Sequence, residues 1–233
     1  MIRSLLTLAF YSIATPLAAL LAFPWTFLTG RINFLYRVGV GIAWAGVRIA
    51  GIRVDIVGRE RLDPARAYVF MANHASNVDP PILMYNLPGR TSVLVKQELF
   101  RIPILGRAMR MGSLVPVDRS NRERAIASLR AAAEVLRAGI HMMVFVEGTR
   151  SPDGGLLPFK KGPFYLALET GAPIVPVTIV GTHKILPKGK ILAKPGRVTL
   201  AFHEPVNPQD FSDVTELMAV VRERIASGLT MTR

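Results

Sequence analysis

Tyr68-Val69-Phe70-Met71-Ala72-Asn73-His74-Ala75-Ser76-Asn77-Val78-Asp79 begins as a five-residue apolar run and ends in a polar turn. The run reads as a buried strand, so Asn73 and His74 leave its C-terminal end. Asp79 follows His74 five residues on. An i,i+5 pair does not share a face of a regular helix, where i+3 and i+4 meet, so contact between the two requires a turn. Ser76-Asn77 and Pro80-Pro81 are suited to form one. Imidazole is the side chain best fitted to move a proton near neutral pH, and a carboxylate held against it sets its tautomer and stabilises the imidazolium. Among the four histidines only His74 has an acid at this spacing; His141, His183 and His203 have Val146, Lys188 and Pro208 there. On its own the pair is open between a structural turn histidine and a proton acceptor.

Working outward, six more segments read as strands: Arg53–Val57, Ser92–Val95, Leu114–Val117, His141–Val146, Ile174–Ile179 and Val198–Phe202. Helices separate them. Ser120 and Glu123 form a capping box ahead of an apolar face of Ile126, Leu129, Ala133 and Leu136, and Gly139 ends that helix. Pro163 opens a short helix that Gly171 closes, and Ser212 begins a C-terminal helix carrying Leu217, Val220, Val221 and Ile225. Strands alternating with helices specify an α/β sheet with helices on its faces, and such sheets gather functional groups at strand carboxyl ends. Pro176, inside an apolar run, implies an edge position, a bulge or a bend.

The first 50 residues differ from the rest. Ser4 to Gly30 is 27 residues without a charge, long enough to span a bilayer, though Pro16 and Pro24 interrupt it. Ile32 to Ala50 is also apolar but holds Arg37 and Arg48, which favour a helix lying at the interface. The first run is too long for the apolar core of a cleaved signal, and no small-x-small site follows it. Residues 1–50 are therefore expected to be a two-helix membrane anchor in one leaflet rather than a span, and residues 51–233 a catalytic domain. The flanking arginines point to a cytoplasmic face.

Composition narrows the function. Half of the 233 residues are hydrophobic, cysteine is absent, and the formal charge is +13. Disulfides, thiolate metal sites and a cysteine nucleophile are thereby excluded. The positive charge favours an anionic partner: nucleic acid, acidic lipid or a phosphorylated substrate. Nucleic acid fits poorly, because the basic residues accompany an apolar N-terminus and no basic strand interleaved with aromatics is present. No cluster with metal-ligand spacing is visible, so no metal is expected.

Two further motifs carry chemistry. Glu147-Gly148-Thr149-Arg150 follows an apolar strand and offers a carboxylate, a flexible turn, a hydroxyl and a guanidinium whose planar fork suits a phosphate. Gly112 to Arg119 places a second arginine after a strand. Each of these motifs alone also reads as a solvated loop. From Lys184 to Arg197 there are five basic residues and no acid, a stretch suited to lipid head groups, coenzyme A phosphates or an acidic carrier protein, or else a solvated loop.

Together these segments resemble the 1-acyl-sn-glycerol-3-phosphate acyltransferase family of the glycerolipid acyltransferase superfamily. The similarity runs from about Val69 to Pro187. His74 and Asp79 match its first block, Arg119 ends its second, Glu147 to Arg150 form its third and Pro176 lies in its fourth; Lys96-Gln97-Glu98-Leu99-Phe100 and Phe159-Lys160-Lys161-Gly162 agree with the surroundings. The resemblance implies a mixed, mostly parallel sheet. It also implies transfer of a fatty acyl group from acyl-CoA or acyl carrier protein to the sn-2 hydroxyl of lysophosphatidic acid at an inner-membrane surface. His74 would be the general base and Asp79 its support. Arg119 and Arg150 would hold the phosphate, Glu147 would orient the glycerol, and Lys96 or an N–H near Gly148 would meet the oxyanion, with Thr149 in the same substrate-binding turn. No covalent acyl-enzyme and no cofactor beyond the thioester co-substrate are implied. Rival readings are an acyltransferase for another acceptor, such as lyso-ornithine lipid or glycerol 3-phosphate, and a non-catalytic membrane lipid-binding protein.

Two departures from the family pattern stand out. Val146 replaces the usual proline of the third block, which should loosen the turn. In the second block the glycine usually lies six residues before the arginine; Gly112 lies seven before Arg119 and Ser113 lies six before it, which leaves the strand register there open.

Overall fold

A computed structural model describes residues 2–63, 65–118 and 122–230. Two helices come first, α1 (Ile2–Thr29) and α2 (Ile32–Ile49). The body follows as β1 (Ile52–Val57), β2 (Val69–Ala72), α3 (Asp79–Asn86), β3 (Thr91–Lys96), α4 (Pro103–Met111), β4 (Val115–Val117), α5 (Arg122–Arg137) and β5 (His141–Phe145). It is completed by α6 (Gly162–Thr170), β6 (Ile174–Val180), α7 (Thr182–Ile185), β7 (Gly196–Phe202) and α8 (Val214–Thr230). Every strand read from the sequence is present, shifted by no more than two residues at an end.

The strands form one sheet in the order β1-β7-β6-β2-β5-β3-β4. All neighbours are parallel except β6 and β7. Five strands therefore run one way, and β1 and β7 run the other. Alternation along β2 explains the layers. Phe70 and Ala72 face a core shared with Ile82 and Leu83 of α3 and Val47 of α2. Val69 and Met71 face a second core with Ala133 and Leu136 of α5, Phe164 of α6 and Val221 of α8. All four β2 residues are fully buried, which is why the strand reads as a continuous apolar run rather than an alternating one. Burying the Phe70 ring alone contributes about 1.5–3 kcal/mol.

Pro176 is not on an edge: β6 lies between β7 and β2. Its carbonyl accepts from His203 N–H at 3.0 Å, and Ile174 exchanges backbone bonds with Val206. The chain after β7 thus takes three steps, His203 to Val206, where β6 takes two, Pro176 to Ile174. That is a bulge, and it falls where the proline has no N–H to donate. Of the apolar face expected on α5, Ala133 and Leu136 are buried and Leu129 packs on the same core, Ala132 joins them, and Ile126 alone is exposed. Ser120 of the expected capping box lies outside the described residues.

Ser113 adopts φ +63°, and among the described residues it alone has a positive φ without being glycine. Six residues before Arg119, it holds the left-handed conformation that glycine adopts without strain. Of the two candidate positions, Ser113 rather than Gly112 takes the backbone conformation that favours glycine. Gly112, at φ −74°, merely caps α4.

The two N-terminal helices pack on each other, and at their crossing a Cβ on Gly46 would collide with the Tyr11 ring. Tyr11 also donates a hydrogen bond to Ala43 O at 3.0 Å. α1 is continuous through Pro16 and Pro24, and only Ser4, Ala22 and Thr26 are buried along its 28 residues. It is long and apolar enough to cross a membrane. Its outward side chains include Leu20, Leu21, Phe27 and Leu28, an apolar surface that water would not favour. α2 attaches this pair to the body by stacking Trp44 on Tyr85 of α3, with rings 4.4 Å apart and 5° from parallel.

Candidate active site

The end of β2 is held on every side before any catalytic chemistry is considered. Asn73 donates to Ile179 O at 2.9 Å and accepts from Ile179 N–H at 2.8 Å, which locks the end of β2 to β6. The His74 N–H donates to Glu147 Oε1 at 3.0 Å, and the His74 carbonyl accepts from Ser151 N–H at 2.7 Å. Both backbone groups of the histidine are thus fixed by the turn after β5.

The side chain is fixed as firmly. His74 Nδ1 lies 2.7 Å from Asp79 Oδ2, and that oxygen also accepts from the N–H groups of Ala75 and Ser76, each at 2.7 Å. Asp79 is fully buried as the first residue of α3, which Pro80 and Pro81 start. Its carboxylate therefore caps the turn and orients the ring at once, which is how an i,i+5 pair meets without a regular helix. With Nδ1–H directed at Asp79, Nε2 carries the free lone pair. The ring lies against Phe145 at 4.0 Å between centroids and 17° between planes. His74 keeps 15% of its side chain exposed, enough to meet a substrate.

Glu147 departs from its expected role. It is 1% exposed, and its oxygens accept from the N–H groups of His74 and Leu157, each at 3.0 Å. Burial pushes its carboxyl above the usual carboxylate range, opposed by these hydrogen bonds and by the nearby His74 and Arg222. A carboxylate so engaged braces the loop that carries His74, with both oxygens already accepting from backbone.

Val146 also departs from expectation. Its N–H donates to Ala72 O at 3.1 Å, a bond that the family's proline cannot make. Its side chain is fully buried, and its carbonyl accepts from Lys160 N–H at 2.7 Å. The turn is tightened rather than loosened. Gly148, at φ +69°, completes it, and a Cβ there would press on Lys160.

The remaining candidates separate. Thr149 is exposed and Arg150 half-buried beside Ser151, which binds His74 O. The Arg150 guanidinium has no ion pair among the described residues. Its backbone carbonyl accepts from Lys188 Nζ at 3.1 Å. Lys96, at the end of β3, is 62% exposed and pairs with Glu98 at 3.2 Å. Arg119 lies outside the described residues. Nearby hydroxyls are committed to structure: Ser76 Oγ donates to Leu186 O at 2.7 Å, and Ser151 Oγ to Asp153 Oδ1 at 2.8 Å. Among the described residues no group of three or more His, Cys, Asp or Glu is arranged to hold a metal.

Past Phe145, which stacks on the histidine, a cavity of about 650 Å³ runs between the sheet and helices α5 and α6. Phe145, Leu94, Val144 and Leu129 line its depth, and Glu147, Thr149 and Lys160 lie at its polar end. Its size is in the range of sites for small organic ligands. Sequence reasoning missed Asn73, Phe145 and this cavity. The parallel register pairing Ala72 with Phe145 puts an aromatic beside the histidine's strand end, a relation visible only once strand order is known.

A family model described as "Acyltransferase" matches residues 53–180. The chain is 34% identical over 204 residues to a 1-acyl-sn-glycerol-3-phosphate acyltransferase of Limnanthes alba, covering 86% of this chain and 70% of that protein. It is 30% identical over 219 residues to 1-acyl-sn-glycerol-3-phosphate acyltransferase alpha of Mus musculus, covering 92% and 77%. Its fold matches the crystal structure of the 1-acyl-sn-glycerophosphate acyltransferase PlsC from Thermotoga maritima with a TM-score of 0.86 at 34% identity, over 100% of this chain and 98% of that one.

Proposed function

Since the chain belongs to the 1-acyl-sn-glycerol-3-phosphate acyltransferase family, we propose that it acylates the sn-2 hydroxyl of 1-acyl-glycerol 3-phosphate, making phosphatidic acid by direct transfer with His74 as base. The observation that carries this reading is the 2.7 Å contact between His74 Nδ1 and a fully buried Asp79, which leaves Nε2 to face substrate.

The steps balance without a protein-bound intermediate. The acceptor hydroxyl oxygen attacks the thioester carbonyl as its proton passes to His74 Nε2. Asp79 steadies the imidazolium so formed. The tetrahedral intermediate expels the thiolate of coenzyme A or of the carrier protein, which takes the proton back from Nε2. The absence of cysteine and the structural engagement of Ser76 and Ser151 support direct attack. Arg150 supplies a fork for the acceptor's phosphate, with Arg119 as its partner. Thr149 and the backbone around Gly148 flank the thioester, and the apolar cavity behind Phe145 takes an acyl chain. Lys96, with its ammonium on Glu98, serves the oxyanion only by leaving that pair.

Residues 1–50 anchor the enzyme to the membrane, and residues 51–233 form the catalytic domain at the cytoplasmic face of the inner membrane. The exposed apolar side of α1 and the +13 charge support this placement.

The deciding experiment offers the purified chain a panel of lysolipids with acyl-CoA and with acyl carrier protein thioesters, for the wild type and Arg150→Ala. Lysophosphatidate should be the preferred acceptor. The substitution should raise its KM by tenfold or more and leave the donor KM within about twofold, by the worth of a charge-assisted hydrogen bond. Preference for a lyso-ornithine lipid, or equal losses for donor and acceptor, would refute the phosphate clamp.

A further inference from the structure

Arg3 near the start of α1, Arg48 in the last turn of α2, Arg53 in β1 and Arg197 in β7 line one cleft of about 590 Å³, floored by Gly51, Ile52, Pro195 and Gly196. The body contributes two of these arginines and the helix pair the other two. Asp55 neutralises Arg197 alone, through Nε–Oδ2 at 2.5 Å and Nη2–Oδ1 at 3.2 Å. Arg3, Arg48 and Arg53 have no carboxylate partner among the described residues. Three uncompensated guanidiniums around one concavity repel one another, and an anion between them relieves that repulsion.

The backbone favours the convergence. Gly51 turns the chain from α2 into β1 at φ +80°, and a Cβ there would fall on the Arg3 guanidinium. Ser4 Oγ donates to Ala193 O at 2.7 Å, tying the start of α1 to the basic stretch ahead of β7.

Location identifies the anion. Because β7 is antiparallel to β6 and β1 is parallel to β7, the starts of β1 and β7 lie at the same sheet end as His74. The cleft lies on β1 and β7, and β6 separates these from β2, so it is not the reacting site. It sits at the root of the apolar helix pair, where a bilayer surface would present phosphates to it. Planar forks arranged around a cavity suit phosphate oxygens.

We propose that this cleft binds the phosphate of an anionic phospholipid head group, at a site separate from that of the reacting lysolipid. The test is cosedimentation of the full chain with vesicles of phosphatidylcholine alone and with about 30% phosphatidylglycerol, at a fixed salt concentration. Arg48→Gln/Arg53→Gln should bind the anionic vesicles about 20- to 30-fold more weakly, at roughly fivefold per charge, and the neutral vesicles unchanged. A control of equal charge, Arg66→Gln/Arg130→Gln, should lose less than about threefold on the anionic vesicles if place as well as charge matters. Thermal unfolding checks that the variants are folded. Should the first pair fail that check, Arg3→Gln is expected to lose about fivefold on anionic vesicles alone.

Equal losses in the cleft and control variants would overturn the site in favour of diffuse attraction. Equal losses on both vesicle types would trace the effect to helix insertion. Unchanged vesicle binding with a raised KM for acyl-CoA would assign the cleft to coenzyme A phosphates. Vesicle binding needs no acyl transfer, so this outcome is independent of the catalytic reading.

Discussion

One oxygen of Asp79 meets three donors: the Nδ1 of His74 and the backbone N–H groups of Ala75 and Ser76, each at 2.7 Å. The carboxylate holds the ring and the turn through that one oxygen, and substitution can separate this geometry from the charge. Asp79→Asn can keep its amide oxygen on all three donors but removes the negative charge. Turnover should fall by about 10³- to 10⁴-fold, because no carboxylate remains to stabilise the imidazolium. Thermal unfolding, run beside the acyl-transfer assay, should move little by comparison. His74→Ala should abolish transfer and leave vesicle binding intact; a tenth of wild-type turnover surviving would remove His74 from the mechanism.

Glu147→Gln tests whether that residue braces the loop or holds substrate. Glutamine has one oxygen for two N–H donors, so His74 or Leu157 loses its acceptor, at a cost of about 1–3 kcal/mol in stability. The expected kinetic signature is a lower kcat with the acceptor KM within about twofold, because the base is misplaced rather than the substrate released. A raised KM at unchanged kcat and unchanged stability would instead mean contact with the glycerol hydroxyl.

Ser113 offers a stability test far from the chemistry. Both Ser113→Ala and Ser113→Gly lose the 3.1 Å bond that Arg90 donates to its hydroxyl. Only alanine retains a Cβ at φ +63°. Glycine should therefore be the more stable variant by about 1 kcal/mol in urea unfolding. Equal stabilities would mean that the left-handed backbone costs nothing here.

Stability should decline on acidification, in part through His141. This buried ring accepts the Tyr68 N–H at Nδ1, 3.1 Å away, and burial holds its pKa below the ordinary 6.5. Its neutral form belongs to the fold, so the unfolded chain binds more protons. The resulting stability is complete above pH 6.5 and drains away as pH falls toward the depressed folded value. His203, half-buried and depressed by that burial and by Arg224 and Arg61, acts in the same direction. His141→Asn retains an acceptor for Tyr68 without a titrating ring, and should flatten the loss of melting temperature between about pH 7 and 5. A slope identical to wild type would clear His141 of this role.

What was legible in the chain was local. Strands buried on both faces leave continuous apolar runs, and His74 with Asp79 lies within one turn of such a strand, so both could be read in order along the sequence. Glu147 was harder: a carboxylate in Glu-Gly-Thr-Arg reads as exposed until β5 is placed beside β2 and its oxygens meet the backbone N–H groups of His74 and Leu157. Pro176 shows the same limit, since its missing donor is absorbed by a bulge in a segment 27 residues later. The four-arginine cleft draws on positions 3, 48, 53 and 197, which no spacing rule joins. Ile126 kept helical periodicity and still faces solvent, a difference that spacing along the helix does not reveal.

The reversal of β1 and β7 against the other five strands has a consequence for how substrate is found. It roots the apolar helix pair at the sheet end where the histidine opens. On the proposed membrane placement, base and bilayer share one plane, and a lysolipid arrives by lateral drift with its tail in the hydrocarbon, so the search is two-dimensional. Turnover on such a surface follows the mole fraction of lysolipid among its neighbours, whatever its concentration in the surrounding water.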